Sequence, residues 1–151
     1  MDGRRIYVAY TGGTIGMRPQ PGGYAPESGY FEQRLRESPE FSGDAMPAFV
    51  VHEYEPLLDS ADMSPDDWLG IAQDIERHYA DFDGFVVIHG TDTMAFTASA
   101  LAFMLEGLAK PVVLTGSQIP FGEVRNDARN NLLAAFEVAA DPRLTEGVIA
   151  F

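Results

Sequence analysis

The sequence predicts an α/β domain in which a mainly parallel β-sheet is flanked by helices. Short apolar runs of strand length alternate along the chain with stretches of helix length, an order typical of parallel sheets. One of these runs is apolar at every position, as in strands covered on both faces. A chain of 151 residues, 46% hydrophobic and 22% charged, is globular and large enough to bury a core.

The first half of the chain contains two predicted strands, separated by a loop and a short helix. Residues 5–10 form an apolar run, which glycines then interrupt. The Pro/Gly-rich stretch 19–26 predicts a mobile loop or a loose hairpin. A short helix is expected at 29–38, and the apolar run at 48–54 predicts the second strand.

The second half alternates helices and strands. Ser64 is the expected N-cap of a helix, because a proline and two acidic residues follow it. The helix expected at 94–105 has Thr93 as its candidate cap. It is apolar on nearly all sides, so we expect it to be deeply buried or to lie at an interface. The other predicted elements are strands at 85–88, 111–114 and 147–151 and a helix at 126–139.

The composition argues against several classes of partner. The formal net charge is -13 and the isoelectric point is about 4.4, whereas nucleic-acid binding needs a basic surface. An anionic membrane surface would repel such a chain. The sequence contains no cysteine and no apolar run of transmembrane length. We therefore expect a soluble, cytoplasmic protein without a nucleic-acid or membrane partner.

The turn after the first predicted strand, Thr11-Gly12-Gly13-Thr14, is a candidate for covalent chemistry. Its glycines permit a tight turn and the close approach of a substrate. A threonine hydroxyl becomes a nucleophile when a base takes its proton. A plain strand-to-helix turn capped by Thr14 explains the same residues. A dinucleotide site fits less well, because the glycines lack the G-x-G-x-x-G spacing.

A second polar turn, His89-Gly90-Thr91-Asp92-Thr93, follows the apolar run at 85–88. An ordinary helix cap accounts for this turn when it is considered alone, and Asp92 is expected to stay ionised beside the helix N-terminus. Two threonine-bearing turns at strand ends favour chemistry, because ligands of open α/β sheets bind at that edge. Thr14, Thr91 and Asp92 are therefore the candidate catalytic residues.

Other polar residues are weaker candidates. Tyr24 lies in the Pro/Gly-rich stretch, from where it could close over a substrate and share in proton transfer, or it is a surface aromatic. Ser60 follows the second strand and either binds a small polar ligand or is solvated. The three histidines, His52, His78 and His89, lack the spacing of metal ligands, so we predict no metal site.

Taken together, these motifs resemble those of the L-asparaginase family, and most closely its bacterial cytoplasmic type I branch. The resemblance spans essentially all 151 residues, and the two threonine motifs are highly specific in combination. The segments that carry it are Tyr10-Thr11-Gly12-Gly13-Thr14-Ile15-Gly16-Met17, His52-Glu53-Tyr54 with Pro56 and Asp59-Ser60, His89-Gly90-Thr91-Asp92-Thr93-Met94, and Leu114-Thr115-Gly116-Ser117-Gln118-Ile119-Pro120.

The resemblance implies an amidohydrolase that converts L-asparagine to L-aspartate and ammonia, often with some action on L-glutamine, and needs no cofactor. It also implies a Rossmann/flavodoxin-like N-terminal domain over residues 1–151. Thr14 would form the acyl-enzyme, Thr91 and Asp92 would belong to its activating triad, and Tyr24 would act from a flexible lid. The implied substrate-binding residues are Asp59, Ser60, Thr91, Asp92 and Ser117.

Three departures from the family pattern bear on activity. The family triad includes a lysine after the last strand seen here, whereas Lys110, the only lysine of this chain, precedes a strand. The smaller C-terminal domain of the family is absent, and the sequence stops inside an apolar run. We therefore expect a truncated domain that is inactive alone and forms a homodimer or homotetramer when complete. Ala61 stands where periplasmic relatives carry glutamine, which fits type I and implies looser substrate affinity.

Two alternatives to an asparaginase domain stay open. One is the asparaginase-like subunit of a tRNA-dependent amidotransferase, which feeds ammonia to a partner. That subunit usually carries an extra N-terminal domain, whereas here the first strand begins at about residue 5. The other is a non-catalytic amino-acid-binding module, in which the pocket survives but no lysine activates the hydroxyl. Binding of substrate without turnover would distinguish the binding module from the enzyme.

Overall fold

A computed structural model describes residues 3–43 and 45–144, together with the backbone of residues 148–150. The strands are β1 (Arg5–Gly12), β2 (Met17–Gln20), β3 (Gly23–Pro26), β4 (Ala48–Leu58), β5 (Gly84–Ile88), β6 (Val112–Thr115) and β7 (Val148–Ala150). The α-helices are α1 (Tyr30–Glu37), α2 (Pro65–His78), α3 (Met94–Met104) and α4 (Ala128–Ala139). Single turns of 3-10 helix span Thr14–Gly16, Pro39–Phe41 and Ser60–Asp62.

Five strands form one parallel sheet in the order β4-β1-β5-β6-β7, which confirms the predicted fold class. The chain passes from β1 to β4 on one side and then returns to β5 on the other. This reversal places a topological switch point between β1 and β5, where open α/β sheets bind ligands. The strand predicted at 147–151 is β7, although residues 147 and 151 lie outside the described residues.

Helices cover both faces of this sheet, and successive side chains of β1 are buried alternately on one face and the other. Ile6 and Val8 pack with residues of α1 and α4, whereas Tyr7 and Ala9 pack with residues of α2 and α3. The two cores are almost entirely apolar. Leading members of the first are Phe31, Leu35, Leu132 and Phe136, and of the second Ile71, Ile75, Phe85 and Leu101.

A buried carboxylate fastens α2 to the sheet. Asp74 accepts hydrogen bonds from the hydroxyls of Tyr7 at 3.0 Å and Tyr54 at 2.9 Å, and Arg77 donates to it at 3.4 Å. Burial, followed by the negative charge of Asp74, raises the pKa of both phenols. The hydrogen bonds offset the cost of burying the carboxylate, so β1, β4 and α2 are joined by one polar cluster.

The Pro/Gly-rich stretch forms the hairpin that the sequence left as one of two options. β2 and β3 pair antiparallel, with Met17 opposite Pro26 and Gln20 opposite Gly23. Strand β4 is longer than predicted and continues to Leu58. The extra length carries the chain to Asp59 and Ser60 at the carboxyl end of the sheet, so it bears directly on where those side chains lie.

Two expectations about the middle helices have different outcomes. Ser64 precedes α2 as expected, and its N–H and hydroxyl both donate to the carboxylate of Asp67, at 2.7 and 2.8 Å. Of the two options for the helix at 94–105, deep burial is wrong for the described residues, because Phe96 and Phe103 of α3 are exposed, and a position at an interface stays a prediction. An apolar composition does not specify which faces other elements cover. Among the described residues, no helix is both long and apolar enough to cross a membrane.

The packing predicts opposite outcomes for two Phe→Ala substitutions. Phe136 is 0% exposed in α4, whereas Phe103 is 84% exposed in α3. Phe136→Ala should lower the free energy of unfolding by about 3–5 kcal/mol, because it removes buried surface and leaves a cavity. Phe103→Ala, the matched control, should change it by less than about 0.5 kcal/mol. Chemical denaturation monitored by circular dichroism measures both, and equal losses would contradict the assigned burial.

Candidate functional site

Four turns lie side by side at the carboxyl edge of the sheet. They follow β4, β1, β5 and β6, which are neighbours in that order. Their sequences supply every predicted site residue except Tyr24. The four segments, in sheet order, are Asp59-Ser60, Gly13-Thr14, Gly90-Thr91-Asp92 and Gly116-Ser117. Because the strands are parallel, this edge collects their polar turns around the switch point between β1 and β5.

The turns after β1 and β5 touch through their backbones. A Cβ atom added to Gly13 would lie 2.7 Å from both the Cα and the N of Gly90, which is too close for any side chain. Gly13 also has a φ of 93°, in the region that favours glycine. Nearby, the hydroxyl of Thr11 donates to the carbonyl of Ile88 at 2.8 Å. These contacts bring the two threonine-bearing turns together.

Thr14 is the first residue of the 3-10 turn that follows β1. The N-cap position belongs to Gly13, so the alternative in which Thr14 caps a helix is wrong. Thr14 is partly exposed, and its hydroxyl makes no hydrogen bond within the part of the chain that the structure describes. Such a hydroxyl is accessible to a ligand at the sheet edge.

A buried histidine supports the turn after β5. His89 Nδ1 lies 2.6 Å from the carbonyl oxygen of Gly90, and Nε2 lies 2.8 Å from the hydroxyl of Thr97. Burial lowers the pKa of His89, and the hydrogen bond to Gly90 offsets only part of that effect. His89 is therefore a neutral structural residue that fixes the backbone immediately before Thr91.

Thr91 and Asp92 occupy this turn at different depths. Thr91 is partly buried, and its hydroxyl accepts a hydrogen bond from Gln118 Nε2 at 3.0 Å. Asp92 is exposed. Thr93 is the N-cap residue of α3, as expected, but its hydroxyl does not cap the helix and instead donates to the carbonyl of Ser60 at 2.7 Å. That bond joins the β5 turn to the β4 turn instead.

Ser60 is pressed against the β5 turn. The residue is 4% exposed, and a Cβ atom on Gly90 would lie 2.4 Å from its Oγ. Asp59 is exposed and accepts a hydrogen bond from the N–H of Ala61 at 2.9 Å. Ser60 therefore lies buried beside the turn that follows β5. Asp59 is exposed, and the hydrogen bond within its own turn orients its carboxylate.

The loop from residue 116 to residue 127, here called the β6–α4 loop, closes the other side of the site. Ser117 is buried, and its hydroxyl donates to the carbonyl of Ile119 at 2.7 Å. The carboxylate of Asp127 accepts the N–H groups of Gln118 at 2.9 Å and Ile119 at 3.0 Å. Burial raises the pKa of Asp127, but these hydrogen bonds and that from Asn131 outweigh it, so the pKa is lowered.

Tyr24 lies on the β2–β3 hairpin rather than on a strand end. Its side chain is half exposed, and its hydroxyl donates to Glu123 Oε1 at 2.8 Å. Glu123 belongs to the β6–α4 loop. The structure thus ties Tyr24 to the same loop that contacts Thr91.

Lys110 lies at the opposite end of the sheet. It precedes β6, and its ammonium group donates to the carbonyls of Tyr79 and Phe82. This position agrees with the sequence-based inference that Lys110 is not the lysine of an activating triad. Among the described residues, no group of three or more His, Cys, Asp or Glu side chains is placed to hold a metal ion.

Two cavities lie away from these turns. One of about 340 Å³ is bordered by Tyr54, Asp74 and Arg77, and one of about 620 Å³ lies between α2 and the end of α3. Neither is lined by a predicted site residue. We place the candidate site at the four turns, because hydroxyl, carboxylate and backbone groups converge there at the switch point.

Comparison with known proteins identifies the family. Residues 5–151 match the family described as "Asparaginase, N-terminal". The chain belongs to the asparaginase family. It is 57% identical over 151 residues to L-asparaginase 1 of Escherichia coli K12, a match that covers 100% of this chain and 45% of that protein.

Solved structures of asparaginases share this fold. L-asparaginase I from Vibrio cholerae O1 biovar eltor matches with a TM-score of 0.89 and 51% identity, over 98% of this chain and 44% of that one. A probable cytoplasmic L-asparaginase from Campylobacter jejuni matches with a TM-score of 0.79 and 28% identity, over 97% and 43% of the two chains. The chain thus spans less than half the length of these relatives.

Three residues that connect the predicted site residues are not among those predicted from the sequence. Gln118, Glu123 and Asp127 all lie in the β6–α4 loop, and each reaches a site residue or orients that loop. Gln118 stands inside a motif that the resemblance already included. Nothing in the sequence indicates that Glu123 meets Tyr24, because the pair is separated by 99 positions and depends on the tertiary fold.

The buried environment of His89 predicts a pH dependence. The pKa of His89 is lowered by burial, so it should titrate below the ordinary value of about 6.5. The stability that comes from keeping His89 neutral is present above about pH 6.5 and is lost as the pH falls through the lower folded-state pKa. NMR titration of the imidazole measures this directly, and a midpoint at or above 6.5 would contradict its assigned burial.

The close contact between Gly90 and Ser60 predicts that position 90 does not tolerate a side chain. Gly90→Ala would place a methyl group against Ser60, and we expect it to lower the free energy of unfolding by about 1–3 kcal/mol through overpacking. Gly70→Ala is a matched control, because its Cβ atom would meet nothing within 4 Å and it lies inside helix α2. That substitution should raise stability by up to about 1 kcal/mol. Urea unfolding compares the two, and a neutral Gly90→Ala would contradict the close approach.

Proposed function

We propose that this chain is the nucleophile-bearing N-terminal domain of an L-asparagine amidohydrolase that needs no cofactor. The observation that carries the proposal is the contact between Gly13 and Gly90, which brings the Thr14 turn and the Thr91-Asp92 turn together at the switch point. Membership of the asparaginase family and 57% identity to E. coli L-asparaginase 1 support the substrate. L-Glutamine is a secondary substrate in this proposal.

In the proposed reaction, the Thr14 hydroxyl oxygen attacks the side-chain amide carbon of asparagine. The hydroxyl proton leaves through the activating group, and the tetrahedral intermediate collapses as the nitrogen departs with a proton as ammonia. The product is an ester between Thr14 and the aspartyl group. Water then attacks that ester, which releases aspartate and restores the hydroxyl. Backbone N–H groups near Thr91 stabilise the oxyanion.

The remaining predicted residues have binding and closing roles. Thr91 and Asp92 activate the nucleophile, and Asp92 also receives the substrate ammonium group. Asp59 and Ser60 hold the carboxylate end of the substrate, through the Ser60 hydroxyl and the turn that Asp59 stabilises. Ser117 lines the floor, supported by its position in the β6–α4 loop. These groups would hold a small zwitterion in a defined orientation.

Tyr24 acts from the hairpin as a lid residue and shares in proton transfer. Its hydroxyl is protonated at neutral pH, since the ordinary pKa of tyrosine is about 10, and the hydrogen bond to Glu123 raises the pKa of Tyr24 further. The partial exposure of Tyr24 is compatible with movement of the hairpin when a substrate arrives.

Assembly and location are further parts of the proposal. We propose a homodimer or homotetramer in the cytoplasm for the complete protein. The description of the Campylobacter jejuni relative as a probable cytoplasmic L-asparaginase supports the location. Sedimentation of the purified protein and fractionation of cells measure these two properties.

Thr14→Ala tests the nucleophile. Joining this chain to the part of E. coli L-asparaginase 1 that it does not match gives a protein of full family length, in which asparagine-dependent ammonia release can be followed. Thr14→Ala should reduce kcat by at least about 10³-fold, because no oxygen remains to attack the amide. Thr14→Ser keeps the hydroxyl and is the matched control, with partial activity expected.

Two other outcomes separate the alternatives. Undiminished ammonia release by Thr14→Ala would rule out Thr14 as the nucleophile. If the joined protein without substitutions binds asparagine saturably in calorimetry but releases no ammonia, the amino-acid-binding module would be favoured. Circular dichroism of each variant shows whether it is folded, so a loss of activity through misfolding is recognised.

A further inference from the structure

The hydrogen bond between Tyr24 and Glu123 joins two parts of the molecule that are distant in sequence. The phenol oxygen lies 2.8 Å from Glu123 Oε1, across 99 positions of the chain. Tyr24 is on strand β3 of the hairpin, and Glu123 is in the β6–α4 loop. No role for Glu123 is predicted from the sequence.

The segment that carries Glu123 is firmly held. The N–H of Phe121 donates to the carbonyl of Ile15 at 2.9 Å, directly beside Thr14 in the chain. The Phe121 ring is buried and packs edge-on against the rings of Phe31 and Phe41. Asn126 donates from its side-chain amide to the carbonyls of Phe121 and Glu123. Glu123 is therefore presented by a fixed piece of backbone.

The hairpin that carries Tyr24 has little packing of its own. It is a separate two-stranded sheet, and its residues from Pro19 to Tyr24 are exposed. The ion pair between Arg18 and Glu27 links its two ends but does not reach the β6–α4 loop. Isolated two-stranded hairpins are marginally stable in water. At the base of the hairpin, Arg18 also lies over the ring of Tyr30 in α1. The hydrogen bond from Tyr24 can thus decide where the exposed part of the hairpin, from Pro19 to Tyr24, lies.

We propose that Glu123 is a positioning residue that holds the Tyr24 hydroxyl, and with it the hairpin, at the Thr14 turn. The contacts form a closed ring: the Thr14 turn leads into the hairpin, Tyr24 binds Glu123, and Phe121 returns to Ile15. Its contribution to catalysis rests on the proposed function of Tyr24. Glu123 itself acts through Tyr24 and does not need to touch the substrate.

The chemistry of the acceptor supports this role. A carboxylate accepts a hydrogen bond and cannot donate one when ionised, so it fixes the phenol as the donor. The same interaction raises the pKa of Tyr24. A glutamine at position 123 keeps an acceptor oxygen at the same distance along the side chain, whereas an alanine removes it. Glutamine therefore tests whether the acceptor oxygen is sufficient without the negative charge, and alanine tests the loss of the acceptor.

Hydrogen exchange of the 151-residue chain, measured without substrate, tests the proposal. Glu123→Ala and Tyr24→Phe should each speed exchange of the hairpin amides by about fivefold, the factor that corresponds to one net hydrogen bond. The double variant should exchange no faster than either single variant, because both remove the same interaction. Glu123→Gln should remain within about twofold of the parent. Val124→Ala is the control, because Val124 is 97% exposed in the same loop.

Two results would overturn the proposal: hairpin exchange in Glu123→Ala equal to that of the parent, or additive effects of the two single substitutions. Faster exchange that extended to α4 and β6 would also overturn it, because it would indicate general destabilisation. These readouts do not depend on turnover, so failure of the proposed function would leave them interpretable. In a parent that hydrolyses asparagine, Glu123→Ala should lower kcat with KM within about twofold, and Glu123→Gln should restore it.

Discussion

The close approach of the Gly13 and Gly90 backbones is the constraint on which the site depends. Strands β1 and β5 are neighbours in the sheet, and a side chain on Gly13 would push the turns at their ends apart, because its Cβ atom would meet the backbone of Gly90. The next residue of each turn, Thr14 or Thr91, directly follows this contact in the chain. Ser60 then packs on the other side of Gly90, so three turns share a single dense contact.

Around that contact, buried and partly buried side chains fix the backbone, and more exposed side chains remain accessible. His89 is buried, forms hydrogen bonds with the Gly90 carbonyl and the Thr97 hydroxyl, and so fixes the turn after β5. Asp127 does the same for the β6–α4 loop by accepting backbone N–H groups. Thr14 and Asp92 lie on the outer side, where a ligand can reach them. Rigid support beneath reactive side chains limits the reorganisation that a reaction requires.

Much of the fold was predictable because local signals and tertiary needs agree. Continuous apolar runs such as residues 85–88 become central strands, and Ser64 with its proline begins α2. The site was predictable as far as the turns at strand ends. The exposure of α3 was not predictable, because an apolar composition does not say which face of a helix packs against another element. The hydrogen bond from Thr93 to Ser60 was not predictable either. Both depend on the order of strands in the sheet.

The position of Lys110 gives the molecule a natural point of attachment. It is the only side-chain amine of the 151 residues, and it lies at the amino end of the sheet, with the four turns at the other end. A reagent that couples to side-chain amines would modify these residues at one position, at the end of the sheet opposite the candidate site. A label or support attached there would leave the four turns open to the solution.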